Sequence, residues 1–273
     1  MTSDSFDQPL TAPTRTDRVP LGIAFMLGAT VMFALSSALS KAQVEDFSFA
    51  EVLFFRSFAS LVTCAIIILP RTGLLAFRTA RLRDHLGRSV TQTVAQSCIV
   101  IAFGLMPLAG VLLVAAPGAD SFRIGALFAL ANAVLYGSVT AAVRGMTKTE
   151  SAETLTMYQM VFLTAFFALA LPFFDFVWPS TWDLGMLLLN GVLNAVGQYW
   201  WTRALTMAPP ATVGPFYYFS LVWAMLLGFM VWGDIPTLGL LAGSSVVVGS
   251  GLFLLWHESA KKPVRNSKMK ARE

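Results

Sequence analysis

Three amide side chains recur at every fourth position within an apolar stretch of the chain. The stretch spans residues 184–208, long enough for a helix to cross a bilayer at about 1.5 Å per residue against roughly 30 Å of hydrocarbon. Asn190, Asn194 and Gln198 therefore share one helical face. A helix surrounded only by lipid would leave these donors and acceptors unsatisfied, so the face must meet other protein groups or a water-filled cavity.

A second amide pair stands 102 positions earlier. Gln92 and Gln96 align with Asn194 and Gln198 at this one offset, amide upon amide. Amides both donate and accept hydrogen bonds, so the four side chains suit contact with a polar metabolite without any buried charge. The alternative is hydrogen bonding between helices, worth about 0.6–2 kcal/mol for each bond. The pairing at a constant offset favours substrate contact.

Further candidates for substrate contact are an amide and three tyrosines. Asn132 and Tyr136 are four positions apart and share a face of one predicted helix. Tyr217 and Tyr218 stand together in the stretch GPFYYF, where their rings would stack on a flat or amphipathic substrate. The alternative for the tyrosines is packing within the protein or an aromatic belt at the membrane interface.

Arg56 lies several residues inside a predicted span. On insertion scales a buried cation costs about 2.5–3.5 kcal/mol, so an isolated structural arginine is unfavourable there. Two roles remain open for Arg56. It either binds an anionic group of the substrate or pairs with Glu51, five residues earlier.

The composition is that of an integral membrane protein. Of the 273 residues, 56% are hydrophobic and 12% are charged, and the mean hydropathy is +0.68. A soluble domain carries about 25% charged residues. The net charge of +4 arises in loops and tails rather than in a patch interleaved with aromatic residues, which argues against a nucleic-acid partner. The lipid bilayer is the expected partner instead.

Signatures of enzymes, cofactors and metal sites are absent from the sequence. His85 and His257 stand far apart in basic segments, and the glycine pairs do not follow a strand. Cys64 and Cys98 lie in apolar runs and imply no disulfide framework. We therefore expect no catalytic residue, no metal and no cofactor.

Apolar segments predict eight transmembrane helices. They lie near residues 20–42, 50–70, 89–115, 122–145, 154–174, 184–208, 211–232 and 236–256. The loop at 71–88 and the C-terminal tail are rich in Arg and Lys, while loops of the other parity carry acids. The positive-inside rule then places both termini in the cytoplasm of a multi-pass protein of the cell membrane.

The two halves of the chain align as a duplicated unit. The first span lies on the fourth at an offset of 103, and later positions follow at 102. Because three spans precede the second copy, the two copies enter the membrane from opposite sides. Gly110 then aligns with Gly251 at an offset of 141, so 39 residues lack a counterpart in the first half. The expected segments are a disordered cytoplasmic tail (1–19), a truncated first repeat (20–116), a second repeat (121–257) and a basic cytoplasmic tail (258–273).

Several motifs resemble those of the drug/metabolite transporter superfamily, in its ten-helix form built from two EamA-type repeats. Arg56 within FFRSFAS is similar to an arginine common in that family, and AFGLMPLA and ALTMAPPATVGPF resemble the ends of its third and eighth helices. The resemblance implies that family helices three, four, eight and nine enclose a central cavity. In this chain the fourth family helix and most of the fifth are missing.

The expected protein is an all-α membrane protein with two unequal inverted repeats of three and five helices. The leading hypothesis is a secondary transporter, an exporter or exchanger of small polar or amphipathic metabolites that works by alternating access. The alternative is a truncated paralogue that does not transport, or a subunit that needs a partner chain. A homodimer is one way to fill the gap in the first repeat.

Overall fold

The computed structural model describes residues 18–105, 120–208 and 210–235, with isolated helical positions between 238 and 256. Several predicted features lie outside the described residues: nearly all of the tail 1–19, the repeat junction near Gly110, most of the eighth span and the tail 258–273.

Helices and short connections make up the described chain, which contains no strand. The eight α-helices are α1 (Val19–Gln43), α2 (Phe49–Thr72), α3 (Leu82–Leu105), α4 (Asp120–Met146), α5 (Ala152–Ala170), α6 (Thr181–Met207), α7 (Pro210–Tyr217) and α8 (Phe219–Trp232). Two 3-10 turns, Gly73–Phe77 and Leu171–Phe173, extend α2 and α5. The all-α prediction is confirmed for these residues.

Two predicted spans differ from the helices observed. The span predicted at 89–115 begins earlier, at Leu82, because α3 opens with polar residues that an apolar window does not detect. The span predicted at 211–232 is divided into α7 and α8 at Tyr218. Pro215 lies just before the break, where its ring and missing N–H disturb the helical hydrogen bonds.

Serine residues start three of the helices. The hydroxyl oxygen of Ser48 accepts the N–H of Glu51 at 3.4 Å at the start of α2. Ser151 and Ser180 cap α5 and α6 in the same way, and each of the three serines has an extended backbone. Such caps satisfy donors that a helix start otherwise leaves free, and each contributes about 0.5–2 kcal/mol. The predicted start of the second span is thereby confirmed.

Packing places α6 at the centre of one group of helices and α3 beside another. The helix α6 lies along α1 and also contacts α2, while α3 lies along α4 and also contacts α5. The helices α2 and α5 pack against each other, and α7 and α8 contact α1. A buried apolar cluster joins five helices through Met26, Val143, Leu155, Trp201 and Phe216.

Small residues allow α6 to approach its neighbours closely. A Cβ added to Gly191 would stand 2.6 Å from the carbonyl oxygen of Arg56 on α2 and would overlap the side chain of Ala59. Gly197 lies beneath the ring of Phe33 on α1, at 3.0 Å from a hypothetical Cβ. Membrane helices associate through such close packing because lipid removes the hydrophobic drive.

Within the described part of the chain, five helical segments are long and apolar enough to cross a membrane. They are Val19–Gln43, Phe49–Phe77, Ile124–Met146, Ala152–Phe173 and Thr212–Trp232. The helices α3 and α6 are as long as these but more polar, and they are not among the five. The protein is therefore an integral multi-pass membrane protein in which two polar helices accompany five apolar segments.

Candidate functional site

Two buried polar stripes run along α3 and α6. The α3 stripe consists of Arg88, Gln92 and Gln96, and the α6 stripe consists of Asn190, Asn194 and Gln198. All six side chains are buried, and each stripe repeats at every fourth residue. The spacing of 3.6 residues per turn keeps each set on one face of its helix. The sequence prediction that these amides avoid lipid is consistent with this burial.

Asn190 fastens α6 to α1. Its amide nitrogen donates to Ser40 Oγ at 2.9 Å and to Gln43 Oε1 at 2.7 Å. Its side-chain oxygen accepts from Ser36 Oγ at 2.5 Å. One amide thus spans about two turns of the neighbouring helix.

The remaining α6 amides donate to other helices. Asn194 Nδ2 donates to Ser60 Oγ on α2 at 3.0 Å, and Gln198 Nε2 donates to Gln159 Oε1 on α5 at 3.2 Å. Ser60 in turn donates to the carbonyl of Gly191 at 2.7 Å. The α6 stripe therefore makes the interhelical hydrogen bonds that were the alternative to substrate contact. Whether Asn194 and Gln198 also touch a substrate stays a prediction.

One hydrogen-bond chain connects α6 to α3 through α1 and α2. Asn190 donates to Ser40, and Ser40 also accepts from Arg56 Nη1 at 3.3 Å. The other terminal nitrogen of Arg56 donates to Gln96 Oε1. Arg56 is 5% exposed and makes these contacts, while Glu51 Oε2 accepts from the backbone N–H of Val177 at 3.3 Å.

A second chain connects α6 to α3 through α5. Gln159 Oε1 accepts from Gln198 and also from Arg88 Nη2. The other terminal nitrogen of Arg88 donates to the carbonyl oxygen of Leu155 at 3.2 Å. The two chains join opposite ends of the stripes, since Gln96 is linked to Asn190 and Arg88 is linked to Gln198. The two helices thus run in opposite directions.

Arg88 is the residue that sequence reasoning placed wrongly. The basic run at 71–88 favoured a loop that marks the cytoplasmic side, whereas the structure places Arg88 within α3 at 4% exposure. Two signals in the sequence could have identified it. Arg88 continues the four-residue spacing of Gln92 and Gln96, and it aligns with Asn190 at the offset of 102.

Gln159 was also missed, because no other amide lies four residues before or after it on α5. It is 1% exposed and accepts hydrogen bonds from both stripes. No spacing pattern singles it out, since its partners come from distant parts of the chain. Gln159 thus connects the α3 stripe to the α6 stripe.

Aromatic side chains gather beside Arg88. The rings of Tyr136 and Tyr217 stack at 6.0 Å between centroids, and Trp201 lies 6.0 Å from Tyr136. The guanidinium of Arg88 is close enough to the Tyr136 hydroxyl for electrostatic interaction. Tyr218 does not join this cluster and is 51% exposed.

Asn132 lies one helical turn before Tyr136 on α4 and is half-buried. The structure thus brings together Tyr136 and Tyr217 among the aromatic candidates, with Asn132 on the same helix and Tyr218 apart. Their contact with a substrate stays a prediction.

Comparison with known proteins identifies relatives that are named as transporters. Residues 123–256 match the EamA-like transporter family. A riboflavin transporter of Rhizobium johnstonii is 30% identical over 156 residues, which cover 56% of this chain and 51% of that protein. The pseudopaline exporter CntI of Pseudomonas aeruginosa is 24% identical over an alignment of 272 positions, which covers 85% of this chain and 95% of that protein. An S-adenosylmethionine uptake transporter of Rickettsia conorii is 20% identical over 149 residues, with coverage of 55% and 50%.

The extent of these matches is uneven. The chain spans about half the length of the riboflavin transporters that it matches. The match with the pseudopaline exporter extends over 272 positions, and 85% of this chain takes part in it. Because the aligned positions outnumber the residues of this chain that take part, some exporter residues have no counterpart here. A solved crystal structure has the same fold, with a TM-score of 0.64 at 16% identity over 85% of this chain and 95% of that chain.

Proposed function

We propose, from the premise that this chain belongs to the drug/metabolite transporter superfamily, that it is a secondary transporter of small polar or amphipathic metabolites. It acts as an exporter or exchanger in the cell membrane, with both termini in the cytoplasm. The observation that carries the proposal is the pair of buried polar stripes on α3 and α6, surrounded by apolar helices. Intramembrane polar groups of this kind border solute pathways in membrane proteins.

Packing supports an inverted repeat of α1–α3 and α4–α6. The helix α1 lies along α6, as α4 lies along α3, and α2 contacts α6, as α5 contacts α3. Exchanging the two sets of three helices therefore preserves these packing pairs. The stripes also run in opposite directions, and their members are related by the single offset of 102. Eight spans, three in the first repeat and five in the second, complete this proposal.

Alternating access is the mechanism that such a repeat supports. In transporters built from inverted repeats, solutes bind near the midplane where the halves meet, and one half moves against the other. In this chain the stripes meet through Arg56, Gln159 and their partners, which belong to both halves. The bonds that join α3 to α6 are then the contacts that a solute would compete for during transport.

The proposal is tested by solute movement through the purified protein. The full chain is reconstituted in phosphatidylcholine liposomes loaded with the small-molecule fraction of a bacterial extract. Protein-dependent exit of individual metabolites is followed by mass spectrometry, with protein-free liposomes as the control. We expect saturable exit of a limited set of polar metabolites, faster when the same solute is present outside. Folded protein without any protein-dependent exit would contradict the proposal.

A second candidate function is supported by the missing segment of the first repeat. The change of offset from 102 to 141 and the incomplete match with the exporter both indicate that part of the family unit is absent. A truncated paralogue that does not transport, or a subunit that needs a partner chain, fits this absence. A homodimer would be one such assembly.

Native mass spectrometry in lipid nanodiscs separates the two functions when it is combined with the flux assay. Solute movement by a monomer would overturn the second candidate. A stable monomer without flux would support it, and flux confined to dimers would identify the partner as a second copy of this chain.

A further inference from the structure

Two arginines lie buried in the helix bundle and pair with no acidic residue that the structure describes. Arg56 and Arg88 are 5% and 4% exposed, and neither forms an ion pair with an acidic residue in the described ranges. Their hydrogen-bond acceptors, Ser40, Gln96, Gln159 and a backbone carbonyl, are all neutral. Neutral acceptors leave the charge uncompensated, and an ion kept from water costs several kcal/mol. Cations buried at this cost in membrane segments are functional candidates.

Each arginine also keeps an unused donor. The Nε atoms of Arg56 and Arg88 have no hydrogen-bond partner among the described residues, and neither has Nε2 of Gln159. A guanidinium carries five N–H donors in a rigid fork, which matches the paired oxygens of a carboxylate or phosphate. The donors that the protein leaves unused are therefore the ones that an anion would engage.

The geometry points to an anion-binding site along the buried face of α3. Arg88 stands at one end of the α3 stripe, and Arg56 contacts Gln96 at the other end. Arg88 and Gln96 are eight residues apart, which is about 12 Å along a helix axis. Gln92 lies between them as a neutral donor and acceptor. The site thus offers two cationic ends joined by an amide.

This inference rests on the proposed function, because the anion would be the cargo. It narrows the cargo to a metabolite that carries carboxylate or phosphate groups. The ring of Tyr136, close to Arg88 and stacked on Tyr217, adds an aromatic surface for the uncharged part of such a molecule.

Anionic lipid headgroups carry the same chemistry as an anionic metabolite. The helix α3 begins beside Arg81 and Arg83, and basic residues at a membrane surface attract such headgroups. A phosphate of a lipid would meet the same donors of Arg88 as a soluble phosphate. The lipid composition of the sample therefore has to be controlled in the test.

Equilibrium binding to the full chain in phosphatidylcholine nanodiscs tests the site without any need for flux. The probes are inorganic phosphate, citrate and flavin mononucleotide, with riboflavin as the neutral counterpart of the last. We expect at least one of the three anions to raise the melting temperature and to bind saturably. If none of the three anions binds at millimolar concentration, the site is not an anion site.

Matched arginine variants test which residues hold the anion. Arg88→Gln and Arg56→Gln are expected to weaken binding at least tenfold. Arg83→Gln and Arg71→Gln remove the same charge from exposed positions on the same two helices and should leave binding unchanged. Arg88→Lys keeps the charge without the fork, so it should fold and bind with intermediate affinity. Equal binding by all these variants would overturn the assignment.

Nanodiscs of different lipid composition distinguish a lipid headgroup from a soluble metabolite as the source of the anion. In nanodiscs that contain phosphatidylglycerol, a thermal stabilisation that needs no soluble anion and disappears in Arg88→Gln would assign the site to a headgroup and overturn the cargo assignment. Competition by a soluble anion in phosphatidylcholine alone supports the cargo assignment.

The flux assay then separates this inference from the proposed function. Anion binding without flux would uphold the site and contradict transport. Flux of neutral solutes that is insensitive to Arg88→Gln would contradict the anionic cargo and leave transport standing.

Discussion

The α3 stripe and the α6 stripe occupy equivalent positions of the duplicated sequence but satisfy their polar groups differently. On α6 each amide donates to a residue of another helix. On α3, Arg88 brings a charge into the stripe, Arg56 adds a second at Gln96, and Gln92 forms no hydrogen bond with another described residue. The difference indicates that α6 holds helices together, whereas the α3 stripe keeps polar atoms that bond no other described residue.

The largest effect on stability is expected where α6 presses on α2. Gly191→Ala places a methyl group against the backbone and the side chain of α2, and overpacking of this kind costs about 1–3 kcal/mol or more. Thermal unfolding in detergent should show a clear loss of stability. Gly185→Ala is the matched control on the same helix, because a Cβ there meets no atom within 4 Å. Equal stability of the two variants would show that the contact is not tight.

Within the α6 stripe, Asn190 should matter more than Asn194. Asn190→Ala removes an amide bonded to three residues of α1 and leaves buried partners unsatisfied, which costs about 1–3 kcal/mol. Asn194→Ala removes a single bond to Ser60, worth about 0.6 kcal/mol in a membrane protein. Melting temperatures in the same detergent measure both, and the reverse order would contradict the fastening role.

Gln92→Ala tests the α3 stripe. Because Gln92 lacks a hydrogen bond to the described chain, the melting temperature should stay nearly unchanged. Flux in liposomes should fall about threefold to tenfold, the equivalent of one lost hydrogen bond to the solute. Gln198→Ala should instead lower stability, since it loses Gln159. Parallel losses of flux and folded yield in both variants would indicate two structural stripes.

The smallest effects are expected among the tyrosines. Tyr136→Leu removes a ring that stacks on Tyr217 and a hydroxyl that interacts electrostatically with Arg88, so flux should fall modestly. Tyr218→Leu changes a half-exposed side chain outside that cluster and should leave flux unchanged. Exit from loaded liposomes, measured on equal amounts of folded protein, compares the two variants, and a larger loss in Tyr218→Leu would move the site towards α8.

The helices and the polar faces could be predicted from the sequence because both depend on local periodicity. The Asn190, Asn194 and Gln198 face and the approximate bounds of α6 both follow from spacing along the chain. Arg88 was missed because an apolar window ends a helix at the first polar run, whereas α3 continues through that run and buries Arg88 against α5.

Hydrogen-bond partners could not be predicted in the same way. Ser40 and Gln159 bond to residues on helices far away in the sequence, Asn190 and Arg88, and their roles depend on how the helices pack. The same limit applies to the buried positive charge of Arg56. Arg56 was a candidate from the sequence, but the neutral character of its described partners depends on how α1, α2 and α3 pack.

The helix contacts at Lys41 and at Gly191 differ greatly in how easily the two helices of each pair can move apart. At the end of α1, Lys41 reaches Asp234 at 3.5 Å and lies 4.3 Å above the ring of Trp232. Contacts of these two kinds are worth about 1 kcal/mol each when partly exposed, so the contact of α1 with Trp232 and Asp234 can open readily. At Gly191 the backbones of α6 and α2 are so close that an added Cβ would stand 2.6 Å from the carbonyl oxygen of Arg56. We expect the two halves to pivot about the contact between α6 and α2 at Gly191. The Lys41 contact is weaker and should break first. Distance measurements between spin labels at the two places would detect this difference.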